Sequence, residues 1–127
     1  MIRFDNEKVM LYHKLLIEQT GGDDGIRDYG LLDSALASAY ATFDGKELFP
    51  SKEEKAARLA MGLIANHAFV DGNKRIGMYI MLLFLEINGI HMFVKKEEIV
   101  DMGMRLAENK VPYEELLDWI HKHEYIQ

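Results

Sequence analysis

The sequence predicts an all-α fold, a compact bundle of about six helices with one short β-hairpin flap. Three observations carry this reading. Apolar residues recur at helical three-and-four spacing through nearly the whole chain. Gly21-Gly22, Asp44-Gly45 and Gly89 cut that pattern into helix-sized lengths. Asp44 to Pro50 breaks the helical period with a hairpin signal. At 127 residues the chain fits a single domain over 1–127, and its 49% apolar content is enough for one core.

The first helix is expected over Asn6 to Gln19, with Val9, Tyr12, Leu16 and Ile17 at helical spacing and Gly21-Gly22 as its stop. A polar loop, Asp23 to Tyr29, follows. The second helix is expected over Gly30 to Phe43, where Leu31, Leu32, Ala35, Leu36 and Ala39 suit close packing. Asp44-Gly45 is a hairpin signal flanked by Phe43 and by Leu48-Phe49. Ser51-Lys52-Glu53-Glu54 is a capping box that opens a third helix running to about Asn66. The fourth helix, Asn73 to Asn88, is apolar on nearly every side and belongs in the centre of the bundle. Ile90 to Val94 reads as a short extended piece. Lys95 to Asn109 and Pro112 to His123 read as two amphipathic helices, with Pro112 at a first helical position.

Charge and composition remove several function classes. A net charge of −6 argues against a general nucleic-acid surface, which is usually basic. The absence of cysteine removes disulfides and thiolate zinc sites. The N-terminus lacks the apolar region of a signal peptide, and the longest apolar stretch, Ile76 to Leu85, is too short to span a membrane. The expectation is a cytoplasmic protein with no membrane partner.

The chemistry concentrates in nine residues, His67-Ala68-Phe69-Val70-Asp71-Gly72-Asn73-Lys74-Arg75, between the third and fourth helices. A helix starting at Asn73 would point free backbone N–H groups out of its first turn, and these with the helix dipole make an anion site. Gly72 permits a turn closed to other residues. Lys74 and Arg75 add charge where cations disfavour the helix itself, a local conflict that points to function. Asp71 is a single oxygen donor, enough for a magnesium ion that also binds phosphate oxygens and water. His67 can take a proton from a hydroxyl near neutral pH. Phe69 is expected to plug into the core. Taken singly, each has a plainer reading: a helix-end histidine, a turn, a solvated cation pair. The other histidines, His13, His91, His121 and His123, show no metal-ligand spacing with nearby carboxylates, and His121 and His123 read as surface residues.

Those nine residues resemble the signature of the Fic/Doc family, in its Doc (death-on-curing) branch. The wider Fic pattern is His-x-Phe, then Asp or Glu, then Gly-Asn-Gly-Arg; Lys74 stands at the second glycine, as in Doc proteins. Gly25-Ile26-Arg27-Asp28 with Gly30-Leu31-Leu32-Asp33-Ser34-Ala35, and Leu82 to Gly89, are also similar, so the resemblance covers about residues 5 to 95. It implies a Fic-type bundle and a toxin of a toxin–antitoxin pair. Such a toxin would transfer the γ-phosphate of ATP to a hydroxyl of elongation factor Tu and so block translation. By motif position, His67 would be the base and Asp71 would hold magnesium. Gly72, Asn73, Lys74 and Arg75 would hold phosphates. Phe43, Asp44, Gly45, Lys46, Glu47, Leu48, Phe49 and Pro50 would form a flap that docks the target backbone as an added strand.

A glycine at 74 would leave room for a phosphate deep against the helix end. Lys74 fills that room and adds charge, which favours phosphoryl over AMP transfer. The alternatives are AMP transfer of the Fic type and a catalytically idle binding module. The inhibitory Ser/Thr-x-x-x-Glu-Gly/Asn helix of many Fic proteins has no match: Glu108-Asn109 is preceded by Met104 where Ser or Thr would stand. Restraint would then come from a small antitoxin protein. Ala68 replaces the proline that follows the histidine in many Fic proteins.

Overall fold

A computed structural model of the chain describes residues 1–125. Six helices and one two-stranded antiparallel sheet follow in order: α1 (Asn6–Thr20), α2 (Tyr29–Ser38), β1 (Thr42–Phe43), β2 (Lys46–Glu47), α3 (Lys52–Asn66), α4 (Asn73–Ile87), α5 (Lys96–Ala107) and α6 (Tyr113–Lys122). The all-α bundle and its hairpin are therefore as the sequence predicts. Side-chain caps start the early helices. Asp5 accepts from the Lys8 N–H at 2.9 Å, and Asp28 from the Leu31 N–H at 3.0 Å. The capping box of α3 is complete, with Ser51 and Glu54 bonding each other's backbone N–H.

The third and fourth helices form the centre. Leu59, Leu63 and Ile64 of α3 and Ile76, Ile80, Met81, Phe84 and Leu85 of α4 are buried in one continuous core. The two helices approach closely at Gly77, where a Cβ would lie 2.6 Å from Ile64. The N-terminal segment is clipped to the far end of α4 by Asn88, whose amide accepts from the Ile2 N–H at 2.7 Å and donates to the Ile2 carbonyl at 3.0 Å. No helix among the described residues is long and apolar enough to cross a membrane.

Most helix ends fall within two residues of expectation, with one larger shift and a displaced proline. The second helix stops at Ser38, not Phe43. Its end tightens there: the Ser38 hydroxyl donates to the Ala35 carbonyl at 2.7 Å, and the Tyr40 N–H reaches only to Ala37 at 3.0 Å. Thr42 and Phe43 then join the hairpin, pairing with Glu47 and Lys46 across Asp44-Gly45. Both turn residues have positive φ, the backbone that matches strand twist in a two-residue loop. Pro112 sits one residue ahead of α6 in an extended conformation, and its carbonyl accepts the Glu115 and Leu116 N–H groups.

The hairpin is highly exposed, Phe43 at 76%, yet it is anchored. Lys55 of α3 is buried, and its ammonium donates to the Phe49 carbonyl and, at 3.0 Å, to Glu47. The Tyr40 ring lies on the same ammonium at 5.6 Å.

Candidate active site

The loop between α3 and α4 is held by its own residues and by a strap from the α1–α2 connection. His67 ends α3 in the left-handed region (φ 50°, ψ 48°) and is exposed. Ala68 and Phe69 then turn inward and are buried. The Asn73 amide closes the loop, accepting from the Phe69 N–H at 3.1 Å and donating to the Phe69 carbonyl at 2.9 Å. The strap pairs alongside: the Ala68 carbonyl accepts from Arg27 at 2.8 Å and Asp28 at 3.1 Å, and the Val70 N–H donates to Gly25 at 3.0 Å. Both polar ends of the Asn73 side chain are thus committed to the loop; what it offers outward is its backbone N–H.

Beneath the loop lies a residue that sequence reasoning passed over. His13 is buried in α1 and stacks on Phe69, rings 3.8 Å apart and 12° from parallel. Its Nε2–H donates to the Asp71 carbonyl at 2.6 Å, since a carbonyl only accepts. The signal was present: Val9, His13 and Ile17, four residues apart, are the three buried residues of α1.

Asp71, Gly72, Lys74 and Arg75 come together at the start of α4. Gly72 caps the helix in the left-handed region (φ 77°), and no side chain caps the first turn. Its backbone N–H groups are therefore open to an anion. The Asp71 carboxylate accepts from the Gly72 N–H at 2.8 Å and lies 3.6 Å from the Arg75 guanidinium. Arg75 also donates to the Thr20 hydroxyl and, at 2.9 Å, to the Gly21 carbonyl, so the end of α1 aims it. Gly22 completes the enclosure. Its φ is +119°, and a Cβ there would meet Asp71 Oδ2 at 2.4 Å.

A groove of about 920 Å³ opens beside this corner. Leu16, Met78, Tyr79, Leu82, Ile99 and Val100 give it apolar walls; Asp71, Lys74, Arg75 and Lys96 are its charged residues. Lys74 is exposed on α4 with its stem against Gly103 of α5, where a Cβ would lie 3.1 Å from Lys74 Cγ. The residues around the groove do not include His67 or the hairpin. The corner fits a magnesium-bound polyphosphate: one half-exposed carboxylate, an uncapped helix start and an aimed guanidinium.

The sequence profile described as the Fic/DOC family matches residues 3–85. The chain belongs to that family. Fic/DOC relatives include Toxin Doc of Mycolicibacterium smegmatis, 47% identical over 72 residues, which cover 57% of this chain and 55% of the relative. Protein kinase doc of Escherichia phage P1 is 26% identical over 116 residues, 91% of this chain and 90% of that one. The chain thus spans about half the length of the first relative and most of the second. The Fic/DOC match takes in the whole nine-residue loop and both elements that brace it, α1 and the strap.

Proposed function

We propose that this Fic/DOC chain is a cytoplasmic toxin of a toxin–antitoxin pair that moves the γ-phosphate of ATP onto a hydroxyl of a translation protein, elongation factor Tu. The observation that carries this is the uncapped start of α4, with Asp71 and Arg75 aimed at it and His67 exposed at the other end of the same loop. His67 takes the target hydroxyl's proton on an imidazole nitrogen as the oxygen attacks the γ-phosphorus. A bond from that oxygen to phosphorus forms while the β–γ bridge breaks, and ADP leaves. The backbone N–H groups of Asn73, Lys74 and Arg75 and the Arg75 guanidinium hold the phosphate oxygens. Asp71 would hold magnesium, which when bound neutralises charge on the phosphates. The exposed hairpin, held on α3 through Lys55, presents Phe43 to Pro50 to the target backbone.

The groove suits a different occupant. Its apolar walls and its cations, Lys74, Arg75 and Lys96, match an amphipathic helix bearing acidic side chains, as a small antitoxin would supply. Such an occupant would cover Arg75 and Asp71 and so restrain the enzyme.

The test is transfer of label to elongation factor Tu from ATP labelled at either the γ- or the α-phosphate. The expected result is label retained from the γ-position only. Retention from the α-position only would overturn this reading in favour of AMP transfer, and retention from neither would overturn group transfer to this target.

A further inference from the structure

At the opposite end of α3 from His67, fourteen residues or about 20 Å along the helix, three metal-ligating side chains converge. Glu53 comes from the first turn of α3, His121 from the last turn of α6, and Glu124 from just beyond α6. Their ligand atoms all lie within 4.8 Å of one another. His121 Nδ1 is 3.3 Å from Glu124 Oε1 and 3.9 Å from Glu53 Oε2. Two ligand atoms on one tetrahedral zinc ion, at bonds of about 2.0–2.2 Å, sit roughly 3.3–3.6 Å apart. The set is therefore already close to the spacing an ion would impose.

The local electrostatics also call for a cation. Both carboxylates are largely buried, with 18% and 19% of their side chains exposed. Glu124 Oε1 is out of reach of water and makes no hydrogen bond, despite its closeness to His121. Among the described residues, the half-exposed His121 is the one ion-pair partner of either carboxylate. Burial first, and Glu53 second, push the Glu124 carboxyl above its ordinary range. A divalent cation between the two acids would relieve the same repulsion that a shared proton relieves. The backbone holds Glu124 in place: residues 92 and 124 pair as an isolated bridge, with the Phe93 N–H on His123 and the Tyr125 N–H on His91, each at 2.7 Å.

We propose that Glu53, His121 and Glu124 form a structural site for a divalent transition-metal cation of the zinc type, fastening the end of α6 to the start of α3. One imidazole and two carboxylates, with water in the fourth position, suit zinc better than magnesium, which prefers oxygen ligands and keeps its waters. The site is independent of the phosphate corner and does not rest on the proposed reaction.

The experiment is calorimetric titration of the full chain with zinc chloride, in excess magnesium so that Asp71 is already occupied. Thermal unfolding with and without zinc accompanies it. The expected result is one zinc per chain with a raised unfolding midpoint. His121→Asn and Glu124→Gln, each shown folded by circular dichroism, should weaken binding about tenfold or more and abolish the shift; His91→Asn, at the neighbouring exposed histidine, should change neither. Absent zinc binding, affinity unchanged in both variants, or equal loss in His91→Asn would overturn the proposal.

Discussion

At the scale of single residues, the loop between α3 and α4 depends on contacts from the far side of the chain. His13 carries the Phe69 ring and holds the Asp71 carbonyl, so His13→Ala should open a cavity and leave a part-buried carbonyl without its donor. The expected cost is about 2–4 kcal/mol, read by chemical denaturation, with a fall in transfer because Asp71 loses its rest. His67 needs gentler treatment, because its left-handed backbone suits asparagine better than alanine. His67→Asn should leave the unfolding midpoint unchanged and lower transfer about 100-fold or more, read in a single-turnover assay. Gly22→Ala should do the reverse of a silent loop change. Its Cβ would strike Asp71 from a backbone that alanine disfavours, so stability should drop by about 1–3 kcal/mol and magnesium dependence should shift to higher concentration.

At the scale of elements, the hairpin and the start of α6 are tied to the same turn of α3. Lys55→Met keeps the stem but leaves the Phe49 carbonyl without its donor, which should cost about 1–3 kcal/mol and expose the hairpin to limited proteolysis before the bundle unfolds. Tyr113, at the start of α6, packs on Phe49 at 5.4 Å and donates to the Glu54 carbonyl at 3.4 Å. Burial first, then the nearby Glu54 and Glu114 charges, push its hydroxyl up to about 12 from an ordinary 10.0. Between those values the unfolded chain releases this proton and the folded chain keeps it, so the contribution is lost as pH rises above about 10. Tyr113→Phe should therefore show a shallower alkaline fall in unfolding midpoint than the unaltered chain. The second helix shows where sequence patterning runs out at this scale. Leu31 to Ala39 has helical spacing and nothing marks Ser38 as a stop, because the stop is a side-chain bond to Ala35 and a hairpin pull from Leu48 onto Ala41.

At the scale of the whole molecule, the legible features are those set by neighbours in sequence. The capping box of α3, the apolar fourth helix and the clustering of Asp71, Gly72, Lys74 and Arg75 all follow from local order along the chain. The illegible ones are long-range meetings. The buried stack of His13 on Phe69 spans 56 positions, and no local pattern joins Glu53 to His121 and Glu124. The expectation that His123 lies at the surface fails for the same reason: it is 18% exposed and faces Glu98 of α5 at 2.5 Å. The groove, too, exists only once α1, α4 and α5 have packed, and its mix of apolar walls and cations predicts that an acidic amphipathic peptide will bind more weakly as salt rises.

The most direct test is the intact mass of elongation factor Tu after incubation with this chain, magnesium and ATP, beside the same reaction with His67→Asn. A gain of one phosphoryl group with the unaltered chain, absent with His67→Asn, is the predicted result. A gain of an AMP moiety, no gain at all, or an equal gain from His67→Asn would contradict it.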